Sequence, residues 1–94
     1  MTDILDLGGR VALVTGAGQG VGRQVALQLA AAQNSGGVVV NDYGLDRAEA
    51  VAEEIRAAGG KALAAQCDVS DHAAVKDMVA RAAAELGAVG VLVN

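Results

Sequence analysis

Thr15-Gly-Ala-Gly-Gln-Gly-Val-Gly22 is the stretch whose reading governs everything around it. It follows Arg10-Val-Ala-Leu-Val-Thr15, a short apolar run that reads as a buried strand. It leads into Val21, Val25 and Leu29 at spacing four, with Ala26 and Ala30 beside them, one apolar face of a helix running to about Gln33. Gly16, Gly18 and Gly20 keep side chains out of the turn. Gly22 lies in the first helical turn, where a missing Cβ lets helix and strand pack closely. Together with Gln19 and Val21 they gather the free N–H groups and partial positive charge of a helix N-terminus, which suits a pyrophosphate. A glycine pattern alone is a weak signal; a strand before it and a helix after it supply the context.

Outward from this stretch the alternation continues. Asn34-Ser-Gly-Gly37 stops the first helix, and Val38-Val-Val40 is a second strand closing on Asn41-Asp42. Asp46 and Glu49 have the spacing of a capping box, ahead of a helix with Ala48, Val51, Ala52, Ile55 and Ala58 on one face. Gly59-Gly60 ends it. Lys61-Ala-Leu-Ala-Ala-Gln66 is a weaker third strand, since alanine has little strand propensity. Ser70 or Asp71 caps a third helix carrying Val75, Met78, Val79, Ala82 and Leu86, which Gly87 breaks. Gly90-Val-Leu-Val-Asn94 begins a fourth strand. Such β-α-β-α-β-α-β order predicts an α/β fold: a Rossmann-type parallel sheet with helices on both faces, first half only, strand order 3-2-1-4. The first two helices are expected on one face and the third on the other. Residues 1–94 are expected to be the N-terminal part of a single dinucleotide-binding domain, truncated at strand four, in a fragment of a longer protein.

A dinucleotide site requires an acidic residue about 20 positions on, at the end of strand two. Asp42 lies 20 residues after Gly22. Its carboxylate can accept both hydroxyls of an adenosine ribose and would repel a 2′-phosphate. Tyr43 and Gly44 follow it, with no Arg or Lys directly behind, and Gln19 is neutral. Both features favour NAD over NADP. The plainer alternative is a structural turn and a solvated aspartate.

These residues resemble the short-chain dehydrogenase/reductase family. Thr15, Gly16, Gly20 and Gly22 match its Thr-Gly-x-x-x-Gly-x-Gly pattern, Asp68-Val69 matches its Asp-Val pair after strand three, and Leu92-Val93-Asn94 matches the start of its strand-four motif. The resemblance implies that Asp68 and Val69 recognise the adenine edge. It implies an oxidoreductase that interconverts an alcohol and a ketone, and Val40-Asn41-Asp42 is similar to members acting on 3-hydroxyacyl or 3-oxoacyl substrates. It also implies a homo-oligomer, dimer or tetramer. The family's Ser and Tyr-x-x-x-Lys catalytic residues fall beyond strand four, so no catalytic residue is expected within 1–94. Tyr43 with Arg47 is only a superficial Tyr-x-x-x-Arg; the ring reads instead as lying over the adenine or at the sheet rim.

Composition narrows the partners. The net charge is −4 and the seven basic residues are scattered, which argues against nucleic acid or an anionic membrane. No apolar run is long enough to span a bilayer, the start of the chain does not read as a signal peptide, and one Cys fits a reducing compartment; a cytoplasmic protein is expected. With 21 Ala, 14 Val and a single aromatic residue, the core should be thin. Cys67 reads as a small buried filler and His72 as an exposed helix-start residue. Glu53, Glu54 and Arg56 read as a solvated face, and Asp3 and Asp6 as an N-terminal rim. No spacing suggests a metal site. Three rivals share parts of the pattern. A non-catalytic nucleotide-binding module shares all of it. A methyltransferase is disfavoured by Thr15, where an acidic residue usually precedes the first glycine. A flavodoxin-like interaction protein gives Asp42 and Asp68-Val69 no role.

Overall fold

Val11, Ala12, Leu13 and Val14 are buried on both sides of the chain, which a strand achieves only in the middle of a sheet covered on both faces. They form β1 (Val11–Val14) in a computed structural model that describes residues 6–94. The elements that follow are α1 (Gly20–Ala31), β2 (Gly37–Asp42), α2 (Leu45–Ala57), β3 (Ala62–Gln66), α3 (His72–Glu85) and β4 (Val89–Val93). All strand pairings are parallel and the order is β3-β2-β1-β4. Leu13 is in register with Val39 on one side and Leu92 on the other.

The period of two along each strand divides the core. Ala12, Val14, Val38, Val40 and Ala64 pack with Ala26 and Leu29 of α1 and Ala48, Val51, Ala52 and Ile55 of α2. Val11, Leu13, Val39, Leu63 and Ala65 pack with Met78 and Ala82 of α3. Two helices therefore cover one face and one covers the other, as the alternation requires. The largest fully buried side chains are Ile55, a set of valines and Asn41, so the core is thin in volume, as the composition predicts.

Four local readings change. Val21 does not join the buried face of α1; it is 81% exposed in the first turn, where the helix leaves the glycine loop, and the residues α1 buries are Ala26 and Leu29. Helix α1 ends at Ala31, short of Gln33, and Asn34 beyond it takes the left-handed conformation at φ 55°. The capping box at Asp46 does not form: α2 starts at Leu45 with Gly44 as its N-cap and no side-chain cap, which puts Asp46 inside the first turn. The face of α2 ends at Ile55, since Ala58 is already the C-cap and exposed. Of the two candidates for α3, Asp71 is the N-cap, its carboxylate accepting from the N–H groups of Ala73 (3.1 Å) and Ala74 (3.2 Å). Asp3 lies outside the described residues. Asp6 accepts from the Gly8 N–H and the Asn34 side chain, tying the start of the described chain to the end of α1.

Candidate functional site

Parallel strands bring their carboxyl ends to one edge. There β1 passes into the glycine loop, β2 ends at Asp42 and β3 runs on to Cys67-Asp68-Val69. The chain leaves β1 for one face and reaches β4 from the other, so a crevice opens between them, where ligands of open α/β sheets bind.

The glycines of the loop act in three ways. Gly16 (φ 62°) and Gly20 (φ 61°) hold backbone conformations that L side chains resist, and a Cβ on either would meet open space. Gly22 has no such freedom: a Cβ there would stand 2.3 Å from the Gly16 carbonyl oxygen, so this glycine lets α1 close onto its own loop. A Cβ on Gly18 would stand 2.7 Å from the Asp42 carboxyl carbon and 2.7 Å from Arg47 Cβ. Gly18 thus clears space for side chains from β2 and α2. The first intrahelical bond runs from Arg23 N–H to the Gln19 carbonyl (3.2 Å). The N–H groups of Gly20, Val21 and Gly22 precede it and have no helical acceptor. Gln19 is the N-cap residue, extended in backbone, with no side-chain cap. The open side of Gly16 and Gly20 beside these N–H groups fits a bound pyrophosphate.

Asp42 is 5% exposed. Its Oδ1 accepts from the Gly18 N–H (3.3 Å); its Oδ2 accepts from the Gly44 N–H (2.9 Å) and from Arg47 Nε (2.9 Å), with Arg47 Nη2 at 2.8 Å. Burial pushes this carboxyl up, but the hydrogen bonds from Gly44, Arg47 and Gly18 outweigh it and hold it below the usual carboxylate range. Asp42 is therefore already paired with a cation, although no basic residue directly follows it. Arg47, five positions on, enters the sequence reading only as the end of a superficial Tyr-x-x-x-Arg, without this partner. A signal for it exists: a cation in the first turn of a helix opposes the macrodipole and calls for an anion nearby.

Asn41 is the second residue whose partners the sequence reading missed. It is 2% exposed, and its side-chain amide donates to the carbonyls of Ala65 and Cys67, both at 3.2 Å, while its own carbonyl accepts from Ala17 N–H at 2.7 Å. It fastens the end of β3 and the glycine loop to the end of β2. A polar residue in an otherwise apolar buried strand is the trace it leaves in the sequence.

Asp68 and Val69 are exposed beyond β3. Asp68 Oδ1 accepts from the Ser70 hydroxyl (2.7 Å), the Ser70 N–H (2.9 Å) and the Tyr43 hydroxyl (3.2 Å). Those bonds, Ser70 first, hold its carboxyl below the usual range, and the hydrogen bond to Asp68, then its charge, hold the Tyr43 phenol above its own. Tyr43 lies at the sheet rim. Cys67 is buried, and burial, with Asp71 and Asp68 nearby, pushes its thiol up, which keeps it protonated at neutral pH. His72 is an exposed first residue of α3. Arg56 pairs with Glu53 on the solvated face, while Glu54 reaches across to Arg23 of α1. Among the described residues no group of His, Cys, Asp and Glu side chains could hold a metal ion, and no helix is long and apolar enough to cross a membrane.

At the other side of the crevice the Thr15 hydroxyl donates to Asn94 Oδ1 (3.1 Å), joining β1 to the end of β4. A cavity of about 380 Å³ opens beside them, lined by Leu13, Val69, Met78 and Leu92 among others.

Comparison with known proteins bears on this geometry. Residues 10–94 match the family profile described as short chain dehydrogenase. The chain is 40% identical over 93 residues to 7alpha-hydroxysteroid dehydrogenase of Escherichia coli K12, covering 99% of this chain and 36% of that protein. It is 48% identical over 84 residues to the 3-oxoacyl-[acyl-carrier-protein] reductase FabG of Staphylococcus epidermidis, covering 88% of this chain and 34% of that one. A solved 7 alpha-hydroxysteroid dehydrogenase, complexed with NADH and 7-oxo glycochenodeoxycholic acid, superposes with a TM-score of 0.88 at 38% identity, covering 100% of this chain and 37% of that chain. The chain thus spans about a third of the length of the relatives it matches.

Proposed function

Because the chain belongs to the short-chain dehydrogenase family, we propose that it is the NAD(H)-binding portion of an oxidoreductase that interconverts an alcohol and a ketone. The observation that carries this reading is the convergence of the glycine loop and the Asp42 carboxylate, joined by the Gly18 N–H at 3.3 Å. In it Gly16, Gly18, Gln19, Gly20, Val21 and Gly22 surround the pyrophosphate, Asp42 takes the adenosine ribose, and Asp68 and Val69 border the adenine. A nicotinamide cofactor supplies hydride transfer when bound; this chain's residues bind and orient it. The acceptor capacity that Asp42 has left for the ribose lies on Oδ1, which takes only the 3.3 Å bond from Gly18, since Oδ2 is taken by Gly44 and Arg47.

The substrate in this reading is a small alcohol or ketone. A 3-hydroxyacyl or 3-oxoacyl compound is supported by the activity that names the reductase relative, and a hydroxysteroid by that of the dehydrogenase relative. Residues 1–94 are the N-terminal part of a single dinucleotide-binding domain, supported by the share of each relative that is matched. The protein is cytoplasmic and a homo-oligomer, supported by the family resemblance. No residue of 1–94 is assigned a catalytic role.

Calorimetric titration with NAD, NADH and NADPH tests the proposal. Saturable NADH binding is expected, weaker for NADPH, and weakened about 10-fold or more in Asp42→Ala, since a charged hydrogen-bond acceptor is removed. A folded protein that binds none of the three nucleotides would overturn it.

A further inference from the structure

An aspartate at the ribose site repels a 2′-phosphate only while its charge is uncompensated. Here it is compensated. Arg47 Nε and Nη2 both lie on Asp42 Oδ2, at 2.9 and 2.8 Å. The seat of that arginine is built by two glycines. A Cβ on Gly18 would stand 2.7 Å from Arg47 Cβ, and one on Gly44 would stand 2.8 Å from the Arg47 guanidinium carbon. Gly18 clears room for the stem and Gly44 for the head. The arginine side chain is 48% exposed against 6% for the Asp42 side chain, so the carboxylate is enclosed while the guanidinium faces outward. An arginine carries more N–H donors than the pair uses, in a planar fork that matches phosphate.

We infer that Arg47 is a specificity-determining residue for the cofactor, keeping its pair with Asp42 Oδ2 while its unused N–H groups meet a 2′-phosphate, and so admitting NADP(H) to a site whose aspartate alone would exclude it. The inference rests on the dinucleotide reading above and corrects its expectation that Asp42 by itself sets the preference. The electrostatics agree in sign. Arg47 stands in the first turn of α2, where a cation is disfavoured and an anion favoured. A 2′-phosphate would meet both the unused N–H groups of the guanidinium and the positive end of α2. With NAD(H) no 2′-phosphate arrives, and the outward N–H groups of Arg47 stay unused while Oδ1 accepts from the ribose.

The test is direct binding of NADH and NADPH to the full-length protein, followed by calorimetry, for the unaltered chain, Arg47→Ala, Arg47→Lys and Asp42→Asn. Arg47→Ala removes the cation and bares the carboxylate, so it should weaken NADPH about tenfold or more, the range of a charge-assisted hydrogen bond, and change NADH by less than about threefold. Arg47→Lys, which keeps the charge without the fork, should fall between. Asp42→Asn releases Arg47 and should shift the NADPH-to-NADH affinity ratio toward NADPH by about tenfold or more. Equal changes for both nucleotides in Arg47→Ala would make Arg47 a structural brace and overturn the inference. So would NADPH failing to bind the unaltered protein at millimolar concentration while NADH binds. If Arg47→Ala does not fold, an unchanged ratio in Asp42→Asn overturns it equally. Failure of both nucleotides to bind the unaltered protein would instead reject the dinucleotide reading itself.

Discussion

Gly20 and Gly22 stand two residues apart and are glycine for different reasons. Gly20 needs a left-handed backbone and has open space around it; Gly22 needs the absence of an atom 2.3 Å from a carbonyl oxygen. Alanine should cost about 1–2 kcal/mol at position 20, from the left-handed penalty. At position 22 it should cost about 3 kcal/mol or more, from overpacking against backbone that cannot yield. Asparagine separates the two, since it tolerates the left-handed region. Gly20→Asn should recover most of the loss in urea midpoint, and Gly22→Asn should recover none. Asp42 makes a prediction of the same scale in pH. Its folded carboxyl lies below the ordinary range, so its contribution is fully present above the unfolded value near 3.9 and fades as pH falls through the folded value. Urea midpoints of the unaltered chain and Asp42→Asn should differ at pH 7 and converge as the pH falls below about 3.9. A gap that stays constant down to pH 2 would show that the carboxylate charge contributes nothing.

At the scale of elements, two helices that look alike at their starts are held differently. Both α2 and α3 have an aspartate near the N-terminus. Asp71 sits at the N-cap of α3 and accepts two backbone N–H groups; Asp46 sits two residues past the N-cap of α2, too far in to do so. Asp71→Ala should therefore cost about 1 kcal/mol in a denaturant titration. Asp46→Ala should stay within about 0.5 kcal/mol, its remaining role being a weak favourable charge at the helix start. The shift has a traceable cause. Gly44 gives its N–H to Asp42 Oδ2, which closes the turn early and starts α2 at Leu45. The same interaction that shapes the candidate site thus sets the first residue of the helix behind it.

At the scale of the whole molecule the two faces of the sheet are unequal. The α1–α2 face encloses Leu29, Val51 and Ile55 together with the strand valines Val14, Val38 and Val40, and α1 and α2 are bridged by Arg23 and Glu54. The opposite face is covered by α3 alone, which commits only Met78 and Ala82 to full burial and leaves a cavity beside Leu92. Local stability follows buried apolar contact, so native-state hydrogen exchange should show α3 and β4 opening at lower free energy than β1, β2 and α2. Uniform protection across the five elements would mean that the sheet itself, not its covering, sets the stability.

What the sequence determined by itself was whatever depends on neighbours along the chain. The period of the apolar residues separated strands from helices, the Thr15–Gly22 spacing placed a turn between β1 and α1, and parallel alternation with right-handed crossovers led to the order 3-2-1-4. The positions of Asp42 and of Asp68-Val69 at strand ends followed from the same pattern, as did the burial of Cys67. Only the tertiary structure decided which of these residues touch. Gly18 is shaped by Asp42 and Arg47, Asn41 reaches the carbonyls beyond β3, and Tyr43 meets Asp68 across 25 residues of sequence. Periodicity carries no information about such pairs, because a side chain's partners are set by where separate strands end in space. The exposure of Val21 has the same origin: its spacing along α1 is that of a core residue, but α1 buries only Ala26 and Leu29, further along the helix.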